Sequence, residues 1–506
     1  MEDIFRSLPL LLILLFCTCG PASLSAQAPE RELRGVWMAS VLNIDYPQNP
    51  TPSSVTLKAD FNSQLYRLRQ AGINTIYLQV RSAGDALYPS AFAPWSAYVT
   101  GKQGKAPNNN FDPLAYAIEA AHAHGVEVHA WVNPYRVNMS LDTSQFSSDH
   151  LFYQHRDWVH AYGNRMYLDP GLPEVRTHLG AIVDELVSKY DLDGMHFDDY
   201  FYPYPRANES FPDSLTFSRY GGSQGLGDWR RSNVNTFIAE TQRRIKAVKP
   251  WVQFGISPFG VWRNQSQDPV RGSATRASVS SYDDLYGDAL AWASNGTVDY
   301  LLPQLYWSME FAPAGHRVLT EWWAKHTPPG IDLFTGHAAY KVNDNAADST
   351  WNDLAEIPRQ IALARQTPQV KGSVYFSAKS ILEGPYSLRQ SLAQAYQTPV
   401  LLPVRKAPAA VLPVKLKLKK AKKKEAGNLL IWDVDKKVLA DDLPHYYAIY
   451  RSSGSGAFSL IYRTPYGQDC HRYNFLDAFP IAEEKFKYKV VPMDRWHREM
   501  VEVTVK

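Results

Sequence analysis

Cysteine is scarce in this chain, because its 506 residues contain three. Cys17 and Cys19 lie in an apolar amino-terminal segment, which leaves Cys470 by itself in the remainder of the sequence. No C-x-x-C pair occurs. The sequence therefore excludes a disulfide framework and a cysteine-based zinc knuckle.

The chain also lacks an excess of charge of either sign. Its 53 Lys and Arg residues offset 50 Asp and Glu residues, which gives a formal net charge of +3. Such a balance gives no reason to expect nucleic acid as a partner. The longest apolar run, residues 8–19, is too short to span a bilayer, so we expect no stable membrane span. The oligomeric state is left open by the sequence.

The same apolar run has the features of a secretory signal. An arginine precedes it and small residues follow it, so we predict that residues 1–26 are a signal peptide cleaved after Ala26. The protein is then exported to the periplasm or the cell surface. A lipoprotein anchored through Cys17 or Cys19 is less favoured, because the residues directly before these cysteines fit that signal poorly.

Several catalytic signatures are missing as well. The sequence contains no G-x-S-x-G elbow and no H-E-x-x-H, and Trp37-Met38 stands where amidohydrolase-type barrels carry an H-x-H pair. No cofactor is expected. A zinc site built from His129, His196 and Asp198 remains a less favoured alternative, since no ligand spacing supports it.

Apolar runs that alternate with amphipathic segments occupy residues 32–403. Eight strands are predicted, at residues 33–41, 73–81, 126–132, 194–197, 251–256, 299–306, 331–338 and 372–376. Eight is the number that closes a (β/α)₈ TIM barrel, and the length suits that fold. An open doubly wound sheet is the alternative, but the first strand is not followed by a glycine-rich phosphate turn. The predicted fold class is therefore α/β.

The composition changes after residue 403. Residues 404–427 are rich in lysine and proline, and we interpret them as a linker or a first edge strand. Short strands at regular spacing follow in residues 428–506, where Trp432 suits a core strand. This pattern predicts a small all-β sandwich like an immunoglobulin or fibronectin type III domain.

The most informative segment is residues 193–204, in which an apolar run ends in carboxylates and tyrosines. Glycoside hydrolysis uses two carboxyl groups, and aromatic rings suit the faces of sugars. Alternation along the strand directs Asp198 into the barrel and Asp199 away from it. We therefore predict Asp198 as catalytic with Asp199 in support, and either Asp85 or Glu310 as its partner from another strand.

Other strand ends supply polar and aromatic groups to the same rim. Barrel enzymes bind substrate at the carboxyl ends of their strands. The predicted substrate-binding residues are Asp45, Arg81, His129, Trp131, Asn133, Arg136, His196, Tyr200, Tyr306, Trp307 and Tyr340.

Several of these segments resemble the glycosyl-hydrolase-like 10 family. The matching motifs are LRGVW (33–37), NIDYP (43–47), QVR (79–81), GDALY (84–88), HAWVNP (129–134), DGMHFDDY (193–200) and PQLYW (303–307). The resemblance covers nearly all of residues 32–403, and members with a trailing sandwich domain fit the rest. It implies a secreted (β/α)₈ hydrolase of bacterial envelopes. Some members are described as acting on peptidoglycan glycan strands stripped of their peptides.

The sequence thus predicts an exported glycoside hydrolase with a two-carboxylate mechanism, whose substrate is a polysaccharide such as a bacterial cell-wall glycan. The alternative from a different class is a carbohydrate-binding barrel without turnover. That alternative is favoured if neither Asp85 nor Glu310 lies across the cleft from Asp198.

Overall fold

The computed structural model describes residues 29–343 and 348–407, and in the carboxy-terminal region residues 410–411, 414, 416–419, 422–424, 426–435, 443–453, 456–467, 471–478, 486–500 and 503–505. The predicted signal peptide and Cys470 lie outside the described residues.

Eight parallel strands close into a barrel. They are β1 (Leu33–Met38), β2 (Thr75–Arg81), β3 (Glu127–Val132), β4 (Gly194–Phe197), β5 (Gln253–Ile256), β6 (Tyr300–Leu301), β7 (Asp332–His337) and β8 (Val370–Phe376). Each strand pairs with its neighbours in the sequence, and β1 closes the barrel by pairing in parallel with β8. The predicted (β/α)₈ barrel is confirmed.

One principal helix follows each strand. The helices are α1 (Ser54–Gln70), α2 (Pro113–His122), α3 (Pro173–Lys189), α4 (Leu226–Val248), α5 (Ala289–Ser294), α6 (His316–His326), α7 (Glu356–Gln366) and α8 (Tyr386–Ala395). Local sequence fixes some of their ends. The Ser53 and Asp112 side chains cap α1 and α2 by accepting hydrogen bonds from backbone N–H groups of the first turn. Shorter helices lie at Ala97–Thr100, Leu151–Gln154, Ser214–Tyr220 and Ala378–Leu382.

The sixth strand is shorter than the sequence predicts. Regular pairing is confined to Tyr300–Leu301 instead of residues 299–306. Pro303 lacks an N–H group and interrupts the ladder, although the Leu302, Gln304 and Leu305 N–H groups still bond to carbonyls of neighbouring segments. The sequence interpretation also omitted helix α6, which follows this segment.

A small antiparallel sheet is inserted between β3 and α3. Its strands are Arg136–Asn138, Val159–Tyr162 and Arg165–Leu168. The last two form a hairpin that turns at Gly163, which has a positive φ of 57°. The insertion stands at the carboxyl end of β3, where it forms part of the cleft described below.

Two antiparallel sheets form the carboxy-terminal region. One contains Leu416–Leu418, Lys422–Lys424, Gly427–Val434 and Arg472–Asp477, and the other contains Tyr446–Ser453, Ser459–Arg463, Phe486–Met493 and Val503–Val505. Side chains from both sheets share one core, with Trp432 near Tyr447 and Tyr473. We call this region the β domain. Its likeness to fibronectin type III domains stays a prediction.

The β domain docks on the amino-terminal end of the barrel. Glu127, at the start of β3, accepts hydrogen bonds from Arg405 and from His497 Nε2, the latter at 2.8 Å. All three side chains are buried. Arg495 adds an ion pair with Asp191. Among the described residues, no helix is long and apolar enough to cross a membrane.

Candidate active site

A cleft of about 470 Å³ opens at the carboxyl end of the barrel. The inserted sheet and the loops that follow the strands form its walls. It is lined by Trp37, Val41, Leu42, Ile44, Gln79, Trp131, Arg136, Met139, Arg165, Asp198, Tyr200, Tyr204, Ser257, Phe259, Gln304, Tyr306, Trp307, Tyr340, Lys341 and Phe376. The size and the mixture of aromatic and convergent polar groups are typical of a ligand site.

Asp198 follows β4 directly and is held by hydrogen bonds on both carboxyl oxygens. Its Oδ1 accepts from Gln304 Nε2 at 3.0 Å and from the Asp199 backbone N–H at 2.9 Å. Its Oδ2 accepts from Asn133 Nδ2 at 3.1 Å. Because the donors come from three different segments, the orientation of this carboxyl group is fixed by the barrel rather than by a single loop.

Asp199 lies behind Asp198 and does not line the cleft. Its Oδ2 accepts a hydrogen bond of 2.5 Å from the Tyr204 hydroxyl, while its Oδ1 is buried without a hydrogen-bond partner. Burial and the neighbouring charge of Asp198 raise the pKa of Asp199 well above its usual range. The raised pKa favours the protonated form of Asp199 beside the Asp198 carboxyl group.

Aromatic rings and cations make up most of the remaining wall. Trp131 and Trp307 line the cleft, as do Tyr306 and Tyr340, whose ring centroids lie 6.2 Å apart at nearly a right angle. The cations that line it are Arg136, Arg165 and Lys341. Among the described lining residues, Asp198 is the carboxylate that faces these cations. The arrangement favours a ring-shaped ligand that carries negative charge.

The structure brings seven of the predicted residues together in the cleft. They are Trp131, Arg136, Asp198, Tyr200, Tyr306, Trp307 and Tyr340. The others lie outside its lining: Asp45, Arg81, Asp85, His129, Asn133, His196, Asp199 and Glu310. Asn133 and Asp199 nevertheless contact Asp198 directly.

Neither predicted partner carboxylate lies across the cleft from Asp198. Asp85 is buried within the loop that follows β2, where Gln103 Nε2 donates to it at 3.2 Å. Glu310 is largely exposed and pairs with Arg317 at 2.7 Å. By the criterion set from the sequence, this geometry taken alone favours a carbohydrate-binding barrel without turnover. The carboxyl group adjacent to Asp198 is Asp199, at the end of the same strand.

Asp45 and Arg81 hold the barrel rim together. The Asp45 carboxylate accepts hydrogen bonds from the backbone N–H groups of Ala39 and Lys379 and from the Ser377 hydroxyl, which ties the loop after β1 to the loop after β8. Burial raises the pKa of Asp45 to about 6. The Arg81 guanidinium is buried and donates to the Asn133 and Pro134 carbonyls, so it supports the segment that carries Asn133.

His196 and His129 lie inside the barrel, below the cleft. Trp37 Nε1 donates to His196 Nε2 at 3.1 Å, and because indole is only a donor, His196 carries its proton on Nδ1. That proton points to the Tyr300 hydroxyl at 3.1 Å, which also lies 3.1 Å from His129 Nδ1. Burial lowers the pKa of His196 well below its usual range, so the ring is neutral.

Two glycines make room for these buried rings. A Cβ atom on Gly194 would lie 2.3 Å from His129 Nδ1, and one on Gly255 would lie 2.1 Å from the Tyr300 ring. The column of His196, Tyr300 and His129 thus depends on glycine in the adjacent strands β4 and β5. Within the described part of the chain, no three His, Cys, Asp or Glu side chains are arranged to hold a metal ion.

Gln304, Tyr204, Arg165 and Lys341 are functional candidates that the predicted site did not include. Gln304 Nε2 bonds both Asp198 and the Ser257 carbonyl, and its place at the sixth strand end was a usable signal. Tyr204 belongs to the tyrosine cluster after Asp199. Arg165 and Lys341 are brought to the cleft by the inserted hairpin and by the loop after β7, and no local pattern marks them.

Comparison with known proteins identifies the family to which this sequence is similar. The sequence model for "Glycosyl hydrolase-like 10" matches residues 32–353. "Glycosyl hydrolase YngK" of Bacillus subtilis (strain 168) is 42% identical over 506 residues, covering 98% of this chain and 97% of the relative. "Glycosyl hydrolase DigH" of Escherichia coli (strain K12) is 37% identical over 404 residues, covering 72% of this chain and 90% of the relative.

Among solved structures, the glycoside hydrolase domain of PgaB (BpsB) from Bordetella bronchiseptica aligns with a TM-score of 0.47 and 14% identity. The alignment covers 72% of this chain and 99% of that one. The family match begins just before β1 and ends just before α7, so it includes every residue that lines the cleft except Phe376.

Proposed function

The chain belongs to the glycosyl hydrolase-like 10 family and is a glycoside hydrolase, and from this premise we propose that it cleaves a bacterial cell-wall glycan outside the cytoplasm. The predicted signal in residues 1–26 supports export. The observation that carries the proposal is the position of Asp198, whose two oxygens are held by Asn133 and Gln304 at the base of an aromatic, cationic cleft.

The charge of the cleft supports an acidic glycan as substrate. Arg136, Arg165 and Lys341 line the same space as the aromatic rings. Peptidoglycan strands without their peptides expose a lactyl carboxylate on alternate sugars, whereas peptide-bearing strands bind that carboxyl group in an amide. Pairing of such carboxylates with arginine is strong and directional. Stripped glycan strands therefore match both the rings and the cations.

The mechanism we propose uses Asp198 and Asp199 as one acid. Hydrolysis needs a proton on the leaving oxygen and a nucleophile at the anomeric carbon. The raised pKa of Asp199 favours a proton on the pair, and Asp198 is the member that reaches the cleft. Asp198 gives the proton to the glycosidic oxygen as the bond between that oxygen and the anomeric carbon breaks. The N–H groups of Asn133 and Gln304 then stabilise the carboxylate that remains. A water molecule adds to the anomeric carbon, and its proton returns to the carboxyl pair.

The test is the release of new reducing ends from peptide-free peptidoglycan strands. Wild type should release them, and Asp198→Asn should lose at least about 100-fold in rate, since loss of a general acid removes 10²–10⁴-fold. Glu310→Gln is the matched control, because Glu310 is an exposed carboxylate outside the cleft.

Three results would contradict parts of this proposal. Equal activity of Asp198→Asn and wild type would remove Asp198 from the chemistry. A loss in Glu310→Gln as large as that in Asp198→Asn would restore Glu310 as the partner carboxylate. Tight binding of the strands by wild type without release of reducing ends, over a broad panel of glycans, would indicate a binding barrel without turnover.

A further inference from the structure

A second cavity of about 250 Å³ adjoins the cleft. It lies between the hairpin that turns at Gly163 and the loop that follows Asp199. Tyr162 and Tyr167 line it from the hairpin, and Pro203 and Arg206 line it from the loop. We call it the tyrosine cavity.

The tyrosine cavity and the cleft share three side chains. Arg165, Tyr200 and Tyr204 line both spaces. The rings of Tyr200 and Tyr204 meet at 5.6 Å between centroids, and the Tyr204 hydroxyl donates to Asp199. The tyrosine cavity therefore lies next to the space in which a polymer bound beside Asp198 would extend.

Hydrogen bonds fix both walls of the tyrosine cavity. The Tyr162 hydroxyl accepts from the Arg206 backbone N–H at 2.9 Å and donates to the Glu209 carbonyl at 3.2 Å. The Glu209 carboxylate accepts from the Gly163 backbone N–H at 2.7 Å and from Arg206 Nε at 2.9 Å. The cavity is thus formed before any ligand enters, which reduces the entropic cost of binding.

The two arginines of the tyrosine cavity differ in their pairing. The Arg206 charge is neutralised by Glu209, as an ion pair of 2.9 Å. Within the described part of the chain, Arg165 makes no ion pair with a carboxylate. It stands at the junction between the two spaces and is half-buried. Arg165 is therefore the cation available to a ligand there.

We propose that the tyrosine cavity is an additional sugar subsite, in which a further pyranose of the glycan packs against the tyrosines while Arg165 pairs with a carboxylate on the chain. The inference rests on the proposed function, because it extends the same glycan beyond Asp198. It makes the enzyme selective for acidic chains long enough to fill both spaces. Short or neutral glycosides leave Arg165 without its ligand.

Two substrates that differ in one functional group test the role of Arg165. Peptide-free cell-wall oligosaccharides of increasing length are compared with the same chains after their carboxylates are reduced to alcohols. In wild type, kcat/KM should rise with length and should be about 10- to 100-fold higher for the acidic chains, as one charge-assisted hydrogen bond warrants. Arg165→Gln should lower this ratio about 10-fold and leave the part of the preference that Arg136 and Lys341 supply from the cleft.

Arg156→Gln is the matched control on the same insertion. Arg156 packs over the Phe152 ring at 4.0 Å and lines neither space, so this variant should keep the wild-type ratio. As a second variant, Asn164→Trp places a large ring at the exposed turn that borders the tyrosine cavity. It should remove the gain in kcat/KM with chain length.

Binding to the Asp198→Asn protein, measured by calorimetry, separates this inference from the proposed function. Tighter binding of acidic than of reduced chains, with a difference that the added Arg165→Gln change reduces, supports the subsite even if no bond is cleaved. Cleavage by wild type with no dependence on length or carboxylate overturns the subsite and leaves the proposed function intact. If the protein neither cleaves nor binds the chains, the subsite and the proposed function are both overturned.

Discussion

Glu127→Gln should loosen the β domain from the barrel. The Glu127 carboxylate is buried at the start of β3 and accepts hydrogen bonds from Arg405 and His497. His129 Nε2 lies 3.5 Å from its second oxygen. Glutamine has nearly the same shape, so the substitution leaves packing almost unchanged and removes the negative charge that balances Arg405.

The expected loss in the free energy of unfolding is large for a single substitution. Breaking a buried ion pair by removing one partner costs about 3–5 kcal/mol, because the other charge stays buried and unpaired. Side chains on both sides are nearly inaccessible here, at 1% for Glu127 and 5% for Arg405. Since globular proteins are stable by only about 5–15 kcal/mol, Glu127→Gln should lower the urea midpoint strongly.

The pKa of Glu127 also predicts how the stability difference between wild type and Glu127→Gln changes with pH. Burial opposes ionisation of Glu127, but Arg405, His497 and the hydrogen bonds hold its pKa well below the usual range. A lowered pKa adds stability that is complete above the unfolded value of about 4.3 and is lost as the pH falls through the folded value. The difference between wild type and Glu127→Gln should therefore be full at pH 7 and shrink under acid conditions.

Tryptophan fluorescence during urea unfolding measures this effect, because Trp251 of the barrel and Trp496 of the β domain meet at 6.4 Å between ring centroids. Asp433→Asn is the control. Asp433 pairs with Lys419 and Arg472 at the surface, where solvent screening leaves such pairs little effect on stability. A loss below about 1 kcal/mol in Glu127→Gln, or a difference that grows as the pH falls, would refute the reasoning.

Two further predictions concern the carboxyl pair. Gln304→Leu removes an N–H donor from Asp198 and should lower kcat by about 10- to 100-fold with little change in KM. Steady-state kinetics measures both constants. A change confined to KM would contradict the role of Gln304 in positioning Asp198. Asp199→Asn should lower activity but stabilise the fold at pH 7, because a raised carboxyl pKa makes wild type lose stability as the pH rises above about 3.9. Thermal melting from pH 4 to 8 checks this, and a stability difference that does not grow over that range would contradict it.

The barrel could be predicted from the sequence because its strands and its helices each leave a local pattern. Apolar runs of strand length alternate with amphipathic helices, and this pattern requires no knowledge of distant contacts. The one barrel strand that differs substantially is β6, where Pro303 breaks regular pairing within an apolar run. The inward direction of Asp198 could also be predicted from the sequence, because alternation along β4 determines which carboxyl group of the pair faces inward.

The surroundings of Asp198 could not be obtained in the same way. Asp85 and Glu310 both follow strands, and only the path of each loop decides that one is buried beside Gln103 and the other pairs with Arg317. His196 shares a face with Asp198 yet points into the barrel core below it. Arg165 reaches the cleft on a hairpin that lies between β3 and α3, where no strand was predicted.

The two ends of the barrel strands serve different purposes, and β3 shows how closely they are joined. Glu127 begins this strand and anchors the β domain, whereas Asn133, directly after it, holds Asp198 Oδ2. Six residues of extended chain separate the two, a distance of about 20 Å at 3.3 Å per residue. Because β3 also pairs with β4, the strand that carries Asp198, the docked β domain constrains the frame on which the carboxyl pair is built.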